Sequence, residues 1–174
     1  MSSSALRATP YPAGDMSDSS RAGATDDARA ELLRAANINP RTGLATDYLN
    51  HFNEAIMLLE MIPDLPECAA DFLAWQPLSY REHFTASCFS GRDLAISAYE
   101  TADPVIRTEF DNITATMTSI LSAVGEAMRQ ARHEETRAIL AEQATGWVKP
   151  LVTLAGALIN GASHDADVDV IMSQ

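Results

Sequence analysis

Apolar residues recur along this chain at helical spacing, and few stretches alternate as strands do. Ile106, Phe110, Ile113, Met117, Ile120, Val124, Ala127 and Ala131 follow one another at alternating steps of four and three. That heptad stripe predicts a helix roughly 40 Å long whose seam lies against a neighbouring, nearly parallel rod. Asp103 before Pro104 marks its start, because a carboxylate can accept from free N–H groups and proline suits the first helical position. The stripe fails at Arg132-His133-Glu134-Glu135 and resumes one residue out of phase, through Leu140, Ala144, Trp147, Leu151, Leu154 and Leu158. A turn near His133 and two antiparallel helices account for the slip. The rival is one helix with altered winding. Gly146 and Pro150 predict a kink or break in the second helix.

Upstream, DYLNHFNEAIMLLEMI gathers Tyr48, Leu49, Phe52, Ala55, Ile56, Leu59 and Ile62 on one side of a helix spanning about residues 44–62. Thr42 or Thr46 is its expected cap, and Pro63 and Pro66 stop it. Shorter helices follow in ECAADFLAWQ, SYREHFTASCF and RDLAISAYETA. Ser79 and Glu82 have capping-box spacing, which places a helix start at Tyr80. Thr25 is the expected cap of a helix over DDARAELLRAA, and NINPRTG reads as a turn. The expected fold is all-α, an irregular antiparallel helical bundle with two or three long helices and several short ones. Residues 25–162 would form the bundle. Residues 1–24, rich in Ser, Ala, Gly and Pro, read as a disordered tail, and residues 163–174 as an acidic tail.

Composition narrows the functions. A formal net charge of −12 over 174 residues repels phosphate backbones and anionic lipid surfaces, so neither nucleic acid nor membrane is an expected partner. The most apolar run, Trp147 to Ala162, is too short to span a bilayer and carries Lys149 and Pro150. No apolar segment near the start resembles a secretory leader. The two cysteines, Cys68 and Cys88, lack CxxC spacing and read as buried free thiols. A cytoplasmic location is the expectation.

Candidate chemistry centres on His51, His83 and His133. Three histidines can hold zinc and leave a place for an acidic water, so a metal-dependent bundle enzyme or metal-binding protein is the alternative function. Against it, His51 falls on the wet side of its helix or at the border of the apolar face, and Glu54 lies further round among the polar residues. The His-x-x-Glu order also reverses the Glu-x-x-His of carboxylate-bridged bundles and has no second copy. Cys88 follows His83 by five residues, about 140° away on a helix, which does not make a thiolate–imidazole pair. Glu134-Glu135 reads as a solvated face. Gly-rich phosphate loops and nucleophile elbows are absent from the sequence, so no cofactor is expected.

The favoured function is a non-catalytic helical protein-interaction or regulatory module that self-associates, possible as a homodimer, or captures a protein partner of unknown identity. Its expected contact residues are Trp147, Leu151, Leu154 and Leu158 on the last helix, with Val168, Val170 and Ile171 in the tail. The segment HDADVDVIMSQ is loosely similar to acidic end segments by which some chemotaxis and flagellar proteins contact response regulators. The likeness stops at that segment, and no family follows from it.

Overall fold

The computed structural model describes residues 17–162. Among them are seven helices: α1 (Ser17–Ala35), α2 (Leu49–Met61), α3 (Cys68–Ala74), α4 (Tyr80–Ala86), α5 (Arg92–Glu100), α6 (Pro104–Gln130) and α7 (Glu134–Ile159). A 3-10 turn at Thr46–Tyr48 leads into α2. The only β pairing among the described residues is an isolated bridge between Ile38 and Ala45. The fold is therefore all-α, an irregular bundle of long and short helices.

α6 and α7 form the antiparallel pair expected from the phase slip. α6 ends with Ala131 as its C-cap and α7 opens with His133 as its N-cap. Arg137 ties the turn by donating from Nε to the Met128 carbonyl (3.2 Å) and from a terminal nitrogen to the Ala131 carbonyl (3.1 Å). At the other end of α6, Asp103 Oδ1 accepts from the Val105 N–H (2.8 Å) and the Ile106 N–H (3.4 Å), as the Asp-Pro start required.

The buried line of α6 departs from the strict heptad. Phe110, Ile113, Met117 and Val124 are buried, but Leu121 and Met128 replace Ile120 and Ala127, which are half-buried, as are Ile106 and Ala131. A straight α-helix drifts by about 20° per heptad relative to a 3.5-residue repeat, so the contact line slides onto the next residue.

α7 departs further. Its buried residues are Ala141, Ala144, Val148, Ala155, Leu158 and Ile159. Of the expected seam only Ala144 and Leu158 are buried. α7 packs against both α6 and α2, the two most extensive helix pairings in the fold. Its most buried sector therefore lies between those neighbours and is lined by small side chains that let the backbones approach. The helix also runs unbroken through Pro150. Proline cannot donate to the Gly146 carbonyl, but both residues are exposed, so water can serve that carbonyl.

The seven residues that the pattern of α2 assigned, Tyr48 through Ile62, are all buried, five on α2 and one at each of its caps. Its caps differ: neither Thr42 nor Thr46 caps it, and the helix proper starts at Leu49. The Thr42 hydroxyl instead donates to the Ile159 carbonyl at the end of α7 (2.8 Å). α4 carries the Ser79–Glu82 capping box, with both reciprocal bonds made. α1 begins at Ser17, upstream of the cap expected at Thr25 and inside the segment read as a tail. Cys68 is buried as expected, but Cys88 is exposed, because it follows the end of α4 in the link to α5.

Candidate functional site

Two regions bear on function: a histidine–aromatic centre at the short-helix end, and the outer edge of α7.

The first corrects the sequence reading of His51. That residue is only 7% exposed, not on the wet side of α2. The link between α3 and α4 folds over the flank of α2 and covers it. Trp75 stacks on the imidazole with centroids 4.6 Å apart, while the Trp75 indole N–H donates to the His51 carbonyl (3.2 Å). The His51 Nε2 accepts from the Leu78 N–H (3.0 Å), which places the ring proton on Nδ1. Burial, then the neighbouring His83, holds His51 at about 4, against the opposing pull of the Gln76 backbone. The ring is thus neutral near pH 7, and its one lone pair is already used by a backbone amide.

His83, half-buried on α4, lies 5.9 Å from His51 between ring centroids. Burial lowers its pKa, opposed by Asp47 through charge and through its backbone. One Asp47 oxygen, Oδ2, is buried without a hydrogen-bond partner among the described residues. Tyr48 packs edge-on against His83, Phe52 and Tyr80. Tyr48 donates to the Leu78 carbonyl (2.8 Å), and Tyr80 accepts from the Ala45 N–H (3.0 Å). Burial raises both phenols. Tyr99, stacked on Tyr80, donates to Asp111 (2.7 Å) and is pushed up to about 12 by burial and by that carboxylate.

His133 is exposed at the start of α7 and shares no ring contact with the other two histidines. Among the described residues no three His, Cys, Asp or Glu side chains converge as a metal site would need. The three-histidine site expected as the alternative is therefore not assembled: His51 and His83 meet, and His133 does not join them. His51 works as a structural acceptor for Leu78, with His83 packed against it. The sequence did not point to Trp75 as the cover of His51, since they sit on different elements. Pro66 and Pro77, which bound that segment in the sequence, were the available signal.

The second region is the edge of α7. Trp147 is 56% exposed and Leu154 46%. Each precedes a buried residue, Val148 and Ala155, by one helical step of about 100°. Leu151 is half-buried beside them and Leu158 is buried. Ile139, Gln143, Gly146, Pro150 and Thr153 lie on the same side and are all exposed. Between Ile139 and Ala157 the only charged residues, Glu142 and Lys149, border this side next to Thr153 rather than its middle at Trp147 and Leu154, and Lys149 pairs with Glu60 of α2 at 2.6 Å. A Cβ added at Gly146 would meet nothing within 4 Å, so this side is open among the described residues. Val168, Val170 and Ile171 lie outside the described residues. No described helix is long and apolar enough to cross a membrane.

Comparison with known protein families, with curated proteins and with solved structures yields no match for this chain.

Proposed function

We propose that this chain is a non-catalytic helical interaction module that pairs with a second copy of itself through the outer edge of α7. The observation that carries this reading is the uncharged, exposed side of α7 centred on Trp147 and Leu154, in a chain where 21% of residues are charged. Interface centres are depleted in charge and enriched in tryptophan. An exposed apolar edge with that composition departs from an ordinary solvated surface.

A second copy is the occupant that fits best. Two molecules each carrying −12 repel at long range, which opposes pairing, so a contact between copies has to lie where no further charge is brought together, as at the middle of this edge. A two-fold pairing of antiparallel α7 helices centred between Gly146 and Trp147 sets Leu154 of one copy opposite Ile139 of the other. The open Gly146–Pro150 segment at the middle permits close backbone approach. Such self-complementary two-fold contacts are the commonest form of oligomer. The tail residues Val168, Val170 and Ile171 are proposed as a second contact, toward a protein partner.

The test is molar mass by light scattering over about two decades of concentration, since dimerisation follows mass action. The expected result is a rise from monomer to dimer, abolished by Trp147→Ser and by Leu154→Glu with the helical circular dichroism unchanged. A wild-type chain that stays monomeric throughout would refute the pairing.

A further inference from the structure

A second site stands apart from the edge of α7. The end of α1, the loop that follows it and the end of α7 border an open surface pocket of about 460 Å³, whose polar lining includes Arg34, Asn37, Asn39, Arg41 and Asn160. No carboxylate lines it, although acids outnumber bases twenty-four to twelve in the chain. Neither arginine makes an ion pair among the described residues.

The surrounding backbone is fixed. α1 ends with Asn37 in the left-handed region (φ 54°), where the Ile38 N–H reaches back to the Leu33 carbonyl (2.9 Å) and the Asn37 N–H to that of Arg34 (3.0 Å). α7 ends in the same way at Gly161 (φ 81°), with Ala162 N–H to the Ala157 carbonyl and Gly161 N–H to that of Leu158, both 3.0 Å. Helix ends of this type satisfy their own carbonyls, and Thr42 takes the Ile159 carbonyl as well. Each helix end contributes at most about half a negative charge. Among the groups that line the pocket, two guanidinium groups outweigh two such ends. Asn39 turns its Oδ1 onto the Arg41 N–H (2.8 Å), which leaves its amide N–H groups as free donors. Gly161 packs on Arg41, where an added Cβ would lie 3.7 Å from the guanidinium carbon.

We infer that this pocket is an oxyanion site, which takes a phosphate or carboxylate group between Arg34 and Arg41 with amide donors from the asparagines. Guanidinium forks match both oxyanions. The group has two possible sources: a free phosphorylated or carboxylated small molecule, or the chain's own Asp165, Asp167 and Asp169, which follow α7 directly in sequence.

Titration of the full chain with inorganic phosphate, at constant ionic strength set with chloride, separates them by backbone amide NMR shifts. Saturable shifts at Asn37, Asn39, Arg41 and Asn160, weakened roughly tenfold or more by Arg34→Gln and by Arg41→Gln, would establish the site for a free anion. Shifts that occur only in the full chain carrying Asp165→Asn, Asp167→Asn and Asp169→Asn would establish the site and identify its own carboxylates as the usual occupant. Absence of saturable shifts in both chains, or shifts that survive both arginine substitutions, would overturn the inference.

Discussion

The short-helix end and the α6–α7 hairpin solve the same burial problem by opposite means. At the short-helix end the core is built of rings: Tyr48, His51, Phe52, Tyr80, Phe84 and Phe110 are all buried, with Trp75, His83 and Tyr99 packed around them. In the hairpin, α7 contributes mainly Ala141, Ala144, Val148 and Ala155 to the interior. The cause lies in the backbone. A long helix satisfies its own N–H and C=O groups, so its partner need only fill space. The connections around residues 45 and 75–78 have no such ladder. Side chains supply the missing partners: Tyr80 serves Ala45, Tyr48 and His51 serve the two polar groups of Leu78, and Trp75 serves the carbonyl of His51. Rings with polar tips bury apolar area and satisfy a loop at once.

The comparison breaks most visibly at Phe110. This side chain is fully buried on α6 and touches the rings of Tyr48 and Tyr80 at 6.0 and 6.2 Å, so it joins the hairpin to the aromatic end. Phe110→Ala is expected to cost about 3–5 kcal/mol in urea unfolding, from lost transfer energy and the remaining cavity. A loss near 1 kcal/mol would show that the rings close over the gap and that this end is fluid.

Protonation strikes one region and spares the other. His51 is held at about 4 in the folded chain, below the ordinary histidine value near 6.5. The unfolded chain therefore binds the proton first, and stability present above about pH 6.5 is lost as the pH falls toward 4. Full loss would be at most roughly 3 kcal/mol, and His83, lowered in the same direction, adds to it with the same sign. The buried residues of α6 and α7 include no ionisable group. Amide exchange at about pH 5 should accelerate first around Tyr48, Trp75 and Leu78 and last in α6 and α7. His51→Gln should flatten the dependence of stability on pH while keeping an acceptor for Leu78. An unchanged slope in that variant would remove His51 from the account.

The hairpin was readable in the sequence because its constraint is periodic. The stripe on α6, the Asp103–Pro104 start and the turn at His133 each follow from spacing within one segment. The apolar face of α2 was readable for the same reason. His51 was misplaced because its burial comes from Trp75, on a separate element joined through Pro77. The Arg34–Arg41 pocket was invisible for a related reason: its residues come from two helix ends and a loop, with no motif linking them. Periodicity alone put Trp147 and Leu154 into the seam of α7, and both are exposed. The sector facing both α6 and α2 is one step further round, and only the packing of three helices fixes that.

The smallest expected effect tests whether small residues at the centre of α7 are a requirement or an accident. Ala144 is fully buried on the sector between its neighbours. If the backbones approach closely there, added methyl groups have no room, and Ala144→Leu should destabilise by about 1–3 kcal/mol despite its greater apolar area. A leucine buried without strain would instead stabilise by about 1.5–3 kcal/mol, so the two outcomes differ in sign. Trp147→Leu, made on the exposed edge, supplies the contrast. It should change unfolding by less than about 0.5 kcal/mol in a monomeric sample. Equal effects at both positions would mean that α7 does not divide into a tight inner sector and a free outer edge, and the case for pairing through that edge would fall with it.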